Sequence, residues 1–250
     1  MKKYSAVVFD LFSTLAIWQP DRLPLFEWRG KTSHSTMGVL RATIEKIVTD
    51  VSFTVFVDSL DEANEQLAAR RTQQMLEIPS QERFLLALSI AGYAQSEETS
   101  DLAQTLSLQH MDLLAAAVEI PPSTVEFLSE LRGNYKIGLL SNFDHGVTAR
   151  RILERDGATG YFDLIVISDE HGWRKPHPKI FLDTLATLGA SPDDALYVGD
   201  SVGDDIVGAK GAGMDIAWVN PNDAALPDEY EAPDYVLKTV PDLAAILLHT

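Results

Sequence analysis

Asp10 is the residue of this chain whose position most clearly suggests chemistry. It directly follows the β-branched and aromatic run Val7–Phe9, which predicts a buried strand that ends at an exposed carboxylate. Ligands of open parallel sheets bind at the carboxyl ends of the strands. Asp10 is therefore placed to act as a nucleophile, and residues 11–15 form a short turn beside it.

Further reactive side chains follow other predicted strands. Apolar runs predict these strands at residues 135–140, 162–167, 195–198 and 216–219, with a short one at 234–236. Four of the strand ends, counting that of the first strand, present Asp10, Ser141, Lys175 and Asp200. Because ligand sites of parallel sheets form at one edge, we expect these side chains to converge.

Phosphoryl transfer requires residues of these types. A carboxylate such as that of Asp10 attacks phosphorus and forms an acyl phosphate. The hydroxyl groups of Thr14 and Ser141 donate hydrogen bonds to phosphoryl oxygens. Lys175 neutralises the charge that develops and holds an oxygen of the nucleophile.

Three carboxylates predict a metal site next to this group. Asp10, Asp200 and Asp205 together offer hard oxygen ligands of the kind that Mg²⁺ prefers. Without a metal, clustered carboxylates repel one another and one of them takes up a proton. The sequence therefore predicts Mg²⁺ as the cofactor.

Helical patterns alternate with the predicted strands. They fall at residues 122–131, 146–155, 178–188 and 205–212, with a final helix at 240–248. Alternation of this kind implies a parallel sheet that is covered on both faces. The predicted fold class is therefore α/β, with a Rossmann-like doubly wound parallel sheet as the core.

The segment between the first strand and the rest of the sheet has a different pattern. Helices are predicted there at residues 37–48, 60–78, 81–90 and 100–118, whereas strand-like sequence is scarce apart from the apolar run 51–57. This pattern predicts a catalytic core at residues 1–16 and 115–250, and a mostly helical cap domain at residues 17–114.

The composition limits the range of partners. The chain has 250 residues, of which 46% are hydrophobic, and a formal net charge of −17. Nucleic acids and anionic membranes require a basic face, so this charge argues against both. The absence of cysteine excludes disulfides, thiolate metal sites and a cysteine nucleophile. The apolar run 6–9 is too short for a signal peptide, which predicts a cytoplasmic protein; the oligomeric state is not predicted.

Four segments, in order, resemble the motifs of haloacid dehalogenase-superfamily hydrolases. They are FDLFSTL (9–15), LLSN (139–142), SDEHGWRKPHPKIF (168–181) and VGDSVGDDIVGAKGAGM (198–214). The resemblance is close over residues 5–15 and about 115–222, and it extends to the cap only by position. The chain is similar to the subclass that carries a helical cap after the first motif.

The resemblance implies roles for the matched residues and a small phosphorylated metabolite as substrate. It implies that Asp10 is the nucleophile. The residues that it implies bind the phosphoryl group during catalysis are Thr14, Ser141 and Lys175. The residues it places against the substrate are Phe12, Ser13 and Asn142. The residues it places at Mg²⁺ are Asp10, Asp200, Asp205 and, through its backbone carbonyl, Phe12. Asp205 corresponds to the carboxylate that holds water at the metal, a role that Asp204 can also fill.

Phe12 departs from the phosphatase pattern of that family. Phosphatases of the superfamily usually carry a second Asp at this position, which protonates the leaving oxygen and then activates water, and Phe12 cannot transfer a proton. The loss of a general acid and base typically costs ~10²–10⁴ in rate. His34 or His110 of the cap can substitute for the missing acid, and nothing in the sequence distinguishes them.

The departure leaves three functions open. The first is a Mg²⁺-dependent phosphohydrolase that turns over slowly or prefers good leaving groups. The second is a metal-independent 2-haloacid dehalogenase, since aromatic residues at position 12 resemble that branch, with Arg29 or Arg41 to receive the halide; Asp200 argues against it. The third is a non-catalytic member that binds a phosphorylated ligand.

Overall fold

A computed structural model describes residues 4–248 of the chain. The strands, in chain order, are β1 (Ala6–Phe9), β2 (Ile17–Trp18), β3 (Leu25–Trp28), β4 (Lys31–His34), β5 (Val118–Glu119), β6 (Lys136–Ser141), β7 (Leu164–Ile167), β8 (Ala195–Gly199), β9 (Asp215–Val219) and β10 (Tyr235–Leu237). The helices are α1 (Met37–Ile47), α2 (Phe53–Gln74), α3 (Ser80–Ile90), α4 (Glu97–Ala116), α5 (Pro122–Leu131), α6 (Gly146–Arg155), α7 (Ser168–His171), α8 (Pro178–Leu188), α9 (Val207–Gly211) and α10 (Ala244–Leu247).

Contacts divide the chain into two units. The first comprises residues 1–18 and 119–250, and the second comprises residues 19–118. Short strands β2 and β5 lie where the chain passes from one unit to the other. The sequence predicted boundaries after residues 16 and 114, and the role of the second unit as a cap domain stays a prediction.

The first unit is built on a parallel sheet with the strand order β10-β9-β8-β1-β6-β7 within the described residues. Strand β1 lies inside the sheet, where Val8 is in register with Gly138 of β6 and with Tyr197 of β8. All residues of β1 are buried, as expected for a strand with neighbours on both sides and helices on both faces. The predicted α/β, Rossmann-like fold is confirmed.

Helices α5, α6 and α8 coincide with the ranges that the sequence predicted. Helix α8 begins at Pro178, which can occupy the first helical turn because its missing N–H needs no partner there. It ends at Gly189, whose left-handed conformation (φ 66°) stops the helix. Between its ends, Phe181 and Leu185 pack into the core of the sheet with Tyr197. Local capping signals and apolar periodicity agreed here, and the boundaries could therefore be predicted.

The second unit is mostly helical and has its own core. Buried residues of α1, α2, α3 and α4 pack together in it, among them Leu40, Phe56, Phe84 and Leu106. The apolar run 51–57 looked strand-like in the sequence, but its residues 53–57 form the first turns of α2. Ser52 caps this helix by accepting a hydrogen bond from the backbone N–H of Val55 at 3.3 Å.

A hairpin in the second unit was not predicted. Strands β3 and β4 pair antiparallel, with Phe26 opposite Ser33 and Trp28 opposite Lys31. Arg29 and Gly30 form the turn, and both have positive φ angles, 48° and 73°. Two-residue turns of this kind favour Asn-Gly or Asp-Gly, so the Arg-Gly pair gave only half of the usual signal.

Within residues 4–248, no helix combines the length and the apolar character that crossing a membrane requires.

Candidate active site

Three of the predicted site residues lie at the ends of neighbouring strands. Asp10 follows β1, Ser141 is the last residue of β6, and Asp200 follows β8. Because β1 lies between β6 and β8, these three positions share one edge of the sheet. Asp10 is held there by a hydrogen bond from its backbone N–H to the carbonyl of Val198, at 2.9 Å.

Lys175 is the centre of a buried polar cluster. Its Nζ donates to Asp10 Oδ1 at 2.7 Å, to Asp205 Oδ1 at 2.6 Å and to the hydroxyl of Tyr197 at 2.9 Å. An ammonium group has three N–H donors, so these bonds use all of them. In this geometry Lys175 compensates the charges of two carboxylates, and contact with a phosphoryl oxygen requires one of the three bonds to be exchanged.

The position of Lys175 in the fold corrects one expectation. It does not stand at the end of a strand: β7 ends at Ile167, and Lys175 follows in the loop between α7 and α8. Asn142 fixes this loop, because its Oδ1 accepts from the backbone N–H of Lys175 at 2.8 Å and its Nδ2 donates to the Lys175 carbonyl at 2.9 Å. The second proton of the amide goes to Asp204 Oδ2 at 3.1 Å. The side chain of Asn142 thus positions Lys175, and a substrate contact for it stays a prediction.

Asp10, Asp200 and Asp205 form a cluster whose carboxylate oxygens lie within 4.8 Å of one another. Asp205 is buried, and its Oδ2 accepts from the backbone N–H of Ser201 at 2.9 Å. Gly199 makes this approach possible, since a Cβ atom there would lie 2.4 Å from Asp205 Cγ. The backbone of Asp200 is held by Trp218, whose indole N–H donates to the Asp200 carbonyl at 2.8 Å.

The electrostatics of the cluster favour a cation. Burial raises the pKa of Asp10 from its ordinary value of 3.8 to about 7; Lys175 lowers this pKa, and Asp205 raises it. Burial and the charge of Asp205 raise the pKa of Asp200 to about 6. Burial lowers the pKa of Lys175, but Asp10 and Asp205 outweigh this effect and hold it well above its ordinary value. Three carboxylates facing one ammonium leave two negative charges in excess when all are ionised.

These residues fit Mg²⁺ by two criteria. The donor set consists of carboxylate oxygens, which hard divalent ions prefer. Their raised pKa values show that the charged forms are under strain without a further cation, and a bound dication would relieve it. Asp205, rather than Asp204, belongs to this cluster. The backbone carbonyl of Phe12 as a ligand stays a prediction.

The two predicted phosphoryl-binding hydroxyl groups differ in their surroundings. Thr14 Oγ1 donates to Asp200 Oδ1 at 3.4 Å, a long hydrogen bond. Ser141 Oγ is fully buried and has no hydrogen-bond partner within residues 4–248. A buried hydroxyl without a partner costs free energy, so such a group requires an explanation. A phosphoryl oxygen as the acceptor of its proton stays a prediction.

Replacing Ser141 by Ala should therefore separate activity from stability. No hydrogen bond within the described residues is lost, so the free energy of unfolding should change by about 0.5 kcal/mol or less. A hydrogen bond to a charged phosphoryl oxygen is worth about 1.5–3 kcal/mol, which corresponds to a fall of about 10–100-fold in kcat/KM. Urea unfolding and steady-state kinetics measure the two effects.

Ser107 offers a matched control for this variant. It is also a buried serine, but its Oγ donates to Ser80 Oγ at 2.9 Å in the second unit. Replacing Ser107 by Ala should lower the free energy of unfolding by about 1 kcal/mol and leave kcat/KM unchanged. A Ser141 variant that loses stability and keeps its activity would contradict the assignment.

Phe12 and Ser13 lie in the turn that follows Asp10. Ser13 has a left-handed backbone (φ 63°), and its N–H donates to the carbonyl of Ala16 at 2.8 Å. The ring of Phe12 is half-buried and contacts the ring of Phe143, with 4.4 Å between their centroids. The position that usually carries an acid and base thus carries an aromatic ring that packs against another ring.

Tyr197 is a site residue that the sequence analysis missed. It lies fully buried in β8, accepts a hydrogen bond from Lys175, and can donate to the Leu140 carbonyl at 3.1 Å or to Asp205 Oδ1 at 3.2 Å. Its apolar neighbours made it look like an ordinary core residue. The available signal was its hydroxyl, because a buried tyrosine usually requires a polar partner.

The candidate residues of the second unit have partners of their own there. Arg29 pairs with Asp58, and Arg41 donates to Glu45 at 2.8 Å. His34 Nδ1 lies 2.6 Å from the Leu23 carbonyl. His110 lies between the Thr36 hydroxyl, at 2.8 Å, and Arg83, at 3.2 Å. That either histidine transfers the proton in place of the missing acid stays a prediction.

Comparison with known proteins places these observations in a family. The chain is 38% identical over 128 residues to the pyrimidine 5'-nucleotidase YjjG of Escherichia coli (strain K12), covering 50% of this chain and 56% of the relative. It is 33% identical over 153 residues to the N-acylneuraminate-9-phosphatase of Homo sapiens, covering 61% and 58%. The matches thus span little more than half the length of these curated relatives.

A solved structure and a family model extend the comparison to most of the chain. The structure of 2-haloacid dehalogenase from Pseudomonas syringae pv. Tomato DC3000 is similar with a TM-score of 0.70 and 24% identity, over 98% of each chain, which shows a shared fold. The family model of haloacid dehalogenase-like hydrolases matches residues 4–213, a range that includes Asp10, Lys175 and Asp205. The chain belongs to the haloacid dehalogenase-like hydrolase family.

Proposed function

We propose that this hydrolase is a Mg²⁺-dependent phosphatase that acts on a small organic phosphate through an aspartyl-phosphate intermediate on Asp10. The observation that carries the proposal is the buried cluster in which Lys175 bridges Asp10 and Asp205 beside Asp200. The nucleotidase and phosphatase names of the curated relatives support the same reaction class. A cytoplasmic location stays a prediction.

The first step is attack of Asp10 on phosphorus. Lys175 holds Oδ1 of the carboxylate, so we assign Oδ2 as the attacking atom. The new Oδ2–P bond forms as the bond from phosphorus to the leaving oxygen breaks, and the leaving group departs with the electron pair. Ser141 donates a hydrogen bond to a phosphoryl oxygen in this step. Mg²⁺, when bound at the three carboxylates, neutralises charge on the phosphoryl group.

The second step is hydrolysis of the acyl phosphate. Water attacks phosphorus, the Oδ2–P bond breaks with its electron pair left on the Asp10 carboxylate, and the proton that water loses passes to the released phosphate or to solvent. Phe12 can neither protonate the leaving oxygen of the first step nor take a proton from water in the second. The first step therefore relies on a good leaving group. The second step relies on water that no residue at position 12 activates. This predicts slow turnover and a preference for aryl and acyl phosphates.

Restoring a carboxylate at position 12 should raise the turnover. We expect Phe12→Asp to exceed Phe12→Asn in kcat by ~10² or more, because proton transfer typically contributes ~10²–10⁴. Asn is the matched control, since it loses the same ring contacts with Phe143 but cannot transfer a proton. The gain should be larger with phenyl phosphate than with p-nitrophenyl phosphate. Equal rates for the two folded, Mg²⁺-bound variants would count against the assigned role of position 12.

Mg²⁺ should stabilise the protein most at high pH. In the metal-free protein, the pKa values of Asp10 and Asp200, about 7 and about 6, lie above their ordinary 3.8. Between these values the folded state holds protons that the unfolded state has released, so the free energy of unfolding falls as pH rises from about 4 to 7. A cation that binds the ionised carboxylates offsets this loss.

Thermal unfolding with MgCl₂ and with EDTA measures this effect. The gain in Tm from Mg²⁺ should be small at about pH 5 and largest at about pH 8, because the carboxylates must be deprotonated to bind the ion. Asp200→Asn should lose most of the gain. An equal gain at both pH values, or one that Asp200→Asn retains, would rule out binding at this cluster.

A dehalogenase activity is the second candidate, and Phe12 is the observation that favours it. In that reaction, the Asp10 carboxylate displaces halide from carbon and forms an ester. Asp200 and the engaged side chains of Arg29 and Arg41 do not favour it. Chloride release from 2-chloropropionate that is unaffected by EDTA would support the dehalogenase.

A non-catalytic binding protein would instead bind phosphate in the presence of Mg²⁺ without turnover.

Hydrolysis of p-nitrophenyl phosphate with Mg²⁺ and with EDTA tests the proposed function. Release of p-nitrophenol that requires Mg²⁺ would support the phosphatase. No release of p-nitrophenol under either condition, or release that EDTA leaves unchanged, would overturn it.

A further inference from the structure

Three aromatic rings form a continuous band beside the carboxyl end of β1. Phe12 lies in the middle: its ring is 5.8 Å from that of Trp18, with 24° between the planes, and 4.4 Å from that of Phe143. All three residues belong to the first unit. We call Phe12, Trp18 and Phe143 the aromatic platform.

The platform adjoins the catalytic cluster through the chain on both sides. Phe12 lies two residues after Asp10 and two before Thr14, whose hydroxyl donates to Asp200. Phe143 directly follows Asn142, whose amide holds the backbone of Lys175. The platform therefore flanks the point at which a phosphate ester would meet Asp10.

The rings of the platform are only partly buried. Trp18 is 37% exposed, and Phe12 and Phe143 are half-buried, whereas Phe9 and Phe181 are almost completely buried. Exposed aromatic surface next to a buried ionic cluster is typical of a ligand site, in which apolar walls surround a few polar groups.

The backbone holds the platform in place before a ligand binds. The turn after Asp10 is closed by hydrogen bonds from the N–H groups of Leu15 and Ala16 to the carbonyl of Leu11, at 2.9 and 2.7 Å. The N–H of Phe143 donates to Ser168 Oγ at 2.9 Å, and its carbonyl accepts from the N–H of Asp169 at 3.3 Å. Binding would therefore cost little ordering of these residues.

We propose that the aromatic platform binds the alcohol portion of the substrate by stacking, and that the substrate is a phosphate monoester with a planar aromatic ring close to the ester oxygen. The proposal rests on the proposed function and names its substrate class. Stacking of the ring affects how tightly the substrate binds. The basicity of the leaving group affects instead how fast its bond to phosphorus breaks.

Two phosphonates test stacking without any chemical step. Benzylphosphonate and cyclohexylmethylphosphonate have the same linker and ring size, but only the first has a planar π system. Calorimetry in MgCl₂ should give wild-type protein a Kd about 3–10-fold lower for benzylphosphonate, the range expected for an aromatic pair beyond its apolar contact. Trp18→Leu and Phe143→Leu should reduce this ratio to about 1–2, because leucine keeps apolar area and removes the ring.

A Trp→Leu change elsewhere provides the matched control. Trp28 stacks with Phe26 in the second unit and donates to Asp61, and Trp28→Leu should keep the wild-type ratio. Two platform variants are used so that one that fails to fold does not decide the test. Equal Kd values for the two phosphonates, no binding of either, or a ratio that both folded variants retain would overturn the platform.

Turnover of acetyl phosphate, which has no ring, separates the two proposals. If wild-type protein hydrolyses acetyl phosphate but does not discriminate between the phosphonates, the platform is wrong and the phosphatase stands. If it prefers benzylphosphonate and hydrolyses no phosphate monoester, the phosphatase is wrong and the stacking site stands.

Discussion

Replacing Asp10 by Asn is expected to lower kcat for phosphate monoesters by about 10⁴-fold or more. The amide oxygen of Asn is neutral and cannot form the acyl phosphate that the proposed reaction requires. The loss should not come from unfolding. Burial raises the pKa of Asp10 to about 7, which means that its charge is unfavourable in the folded protein. Without metal above about pH 7, the variant should unfold at the same temperature as the wild type or at a higher one.

Asp193 provides the control for this substitution. It is an exposed aspartate in the turn before β8, and Asp193→Asn makes the same chemical change outside the cluster. Its kcat should equal that of the wild type. Asp10→Asn protein that keeps more than about a hundredth of the wild-type kcat, or that loses activity only because it unfolds, would contradict the assignment of Asp10 as nucleophile.

Replacing Lys175 by Met should have the largest effect on stability. Lys175 is buried and bridges the buried carboxylates of Asp10 and Asp205, at 2.7 and 2.6 Å. Removing one partner of a buried ion pair costs about 3–5 kcal/mol, because the other charge stays buried without compensation. The loss should shrink as pH falls, because burial raises the pKa of Asp10 to about 7 and this carboxylate then takes up a proton. Urea unfolding at about pH 5 and about pH 8 measures this dependence.

Two further variants make the Lys175 result interpretable. Lys179 pairs with Asp183 on the surface at 2.7 Å, and Lys179→Met should cost about 0.5 kcal/mol or less. Adding Asp205→Asn to Lys175→Met removes one uncompensated charge, so stability should partly return while activity does not. A Lys175→Met protein as stable as Lys179→Met would show that the cluster is not held together as described.

The sheet and the positions of most candidate site residues could be predicted because local patterns determine them. Asp10, Ser141 and Asp200 each end or directly follow an apolar strand, and parallel strands bring such positions to one edge. Lys175 was predicted by its type and motif, but its place in a loop was not. The bonds that hold this loop come from Asn142, which lies 33 residues away in the chain. Contacts of that range leave no periodic signal in the sequence.

The errors have equally specific causes. Residues 51–57 are apolar and β-branched in part, which favours a strand, but burial of Phe56 and Leu60 against α3 and α4 makes residues 53–57 helical. Tyr197 was overlooked because alternation along a strand shows which residues are buried, and it does not show which atom a hydroxyl meets. The hairpin of β3 and β4 was missed because a turn of Arg29 and Gly30 lacks an Asn or Asp.

Slow hydrolysis of the acyl phosphate is the property expected to distinguish this chain from a phosphatase with Asp at position 12. With p-nitrophenyl phosphate the leaving group needs no proton, so formation of the acyl phosphate on Asp10 should be fast. Hydrolysis of that intermediate should be slow, because Phe12 cannot activate water. The intermediate should therefore accumulate.

Rapid-quench kinetics with p-nitrophenyl phosphate and Mg²⁺ can detect this accumulation of the acyl phosphate. We expect a burst of p-nitrophenol stoichiometric with the enzyme, and a phosphoryl group that mass spectrometry locates on the peptide containing Asp10. The burst should be absent from Asp10→Asn and reduced in Phe12→Asp, in which hydrolysis is faster. Turnover without a burst, and without a phosphoryl group on Asp10, would contradict the proposed aspartyl-phosphate intermediate.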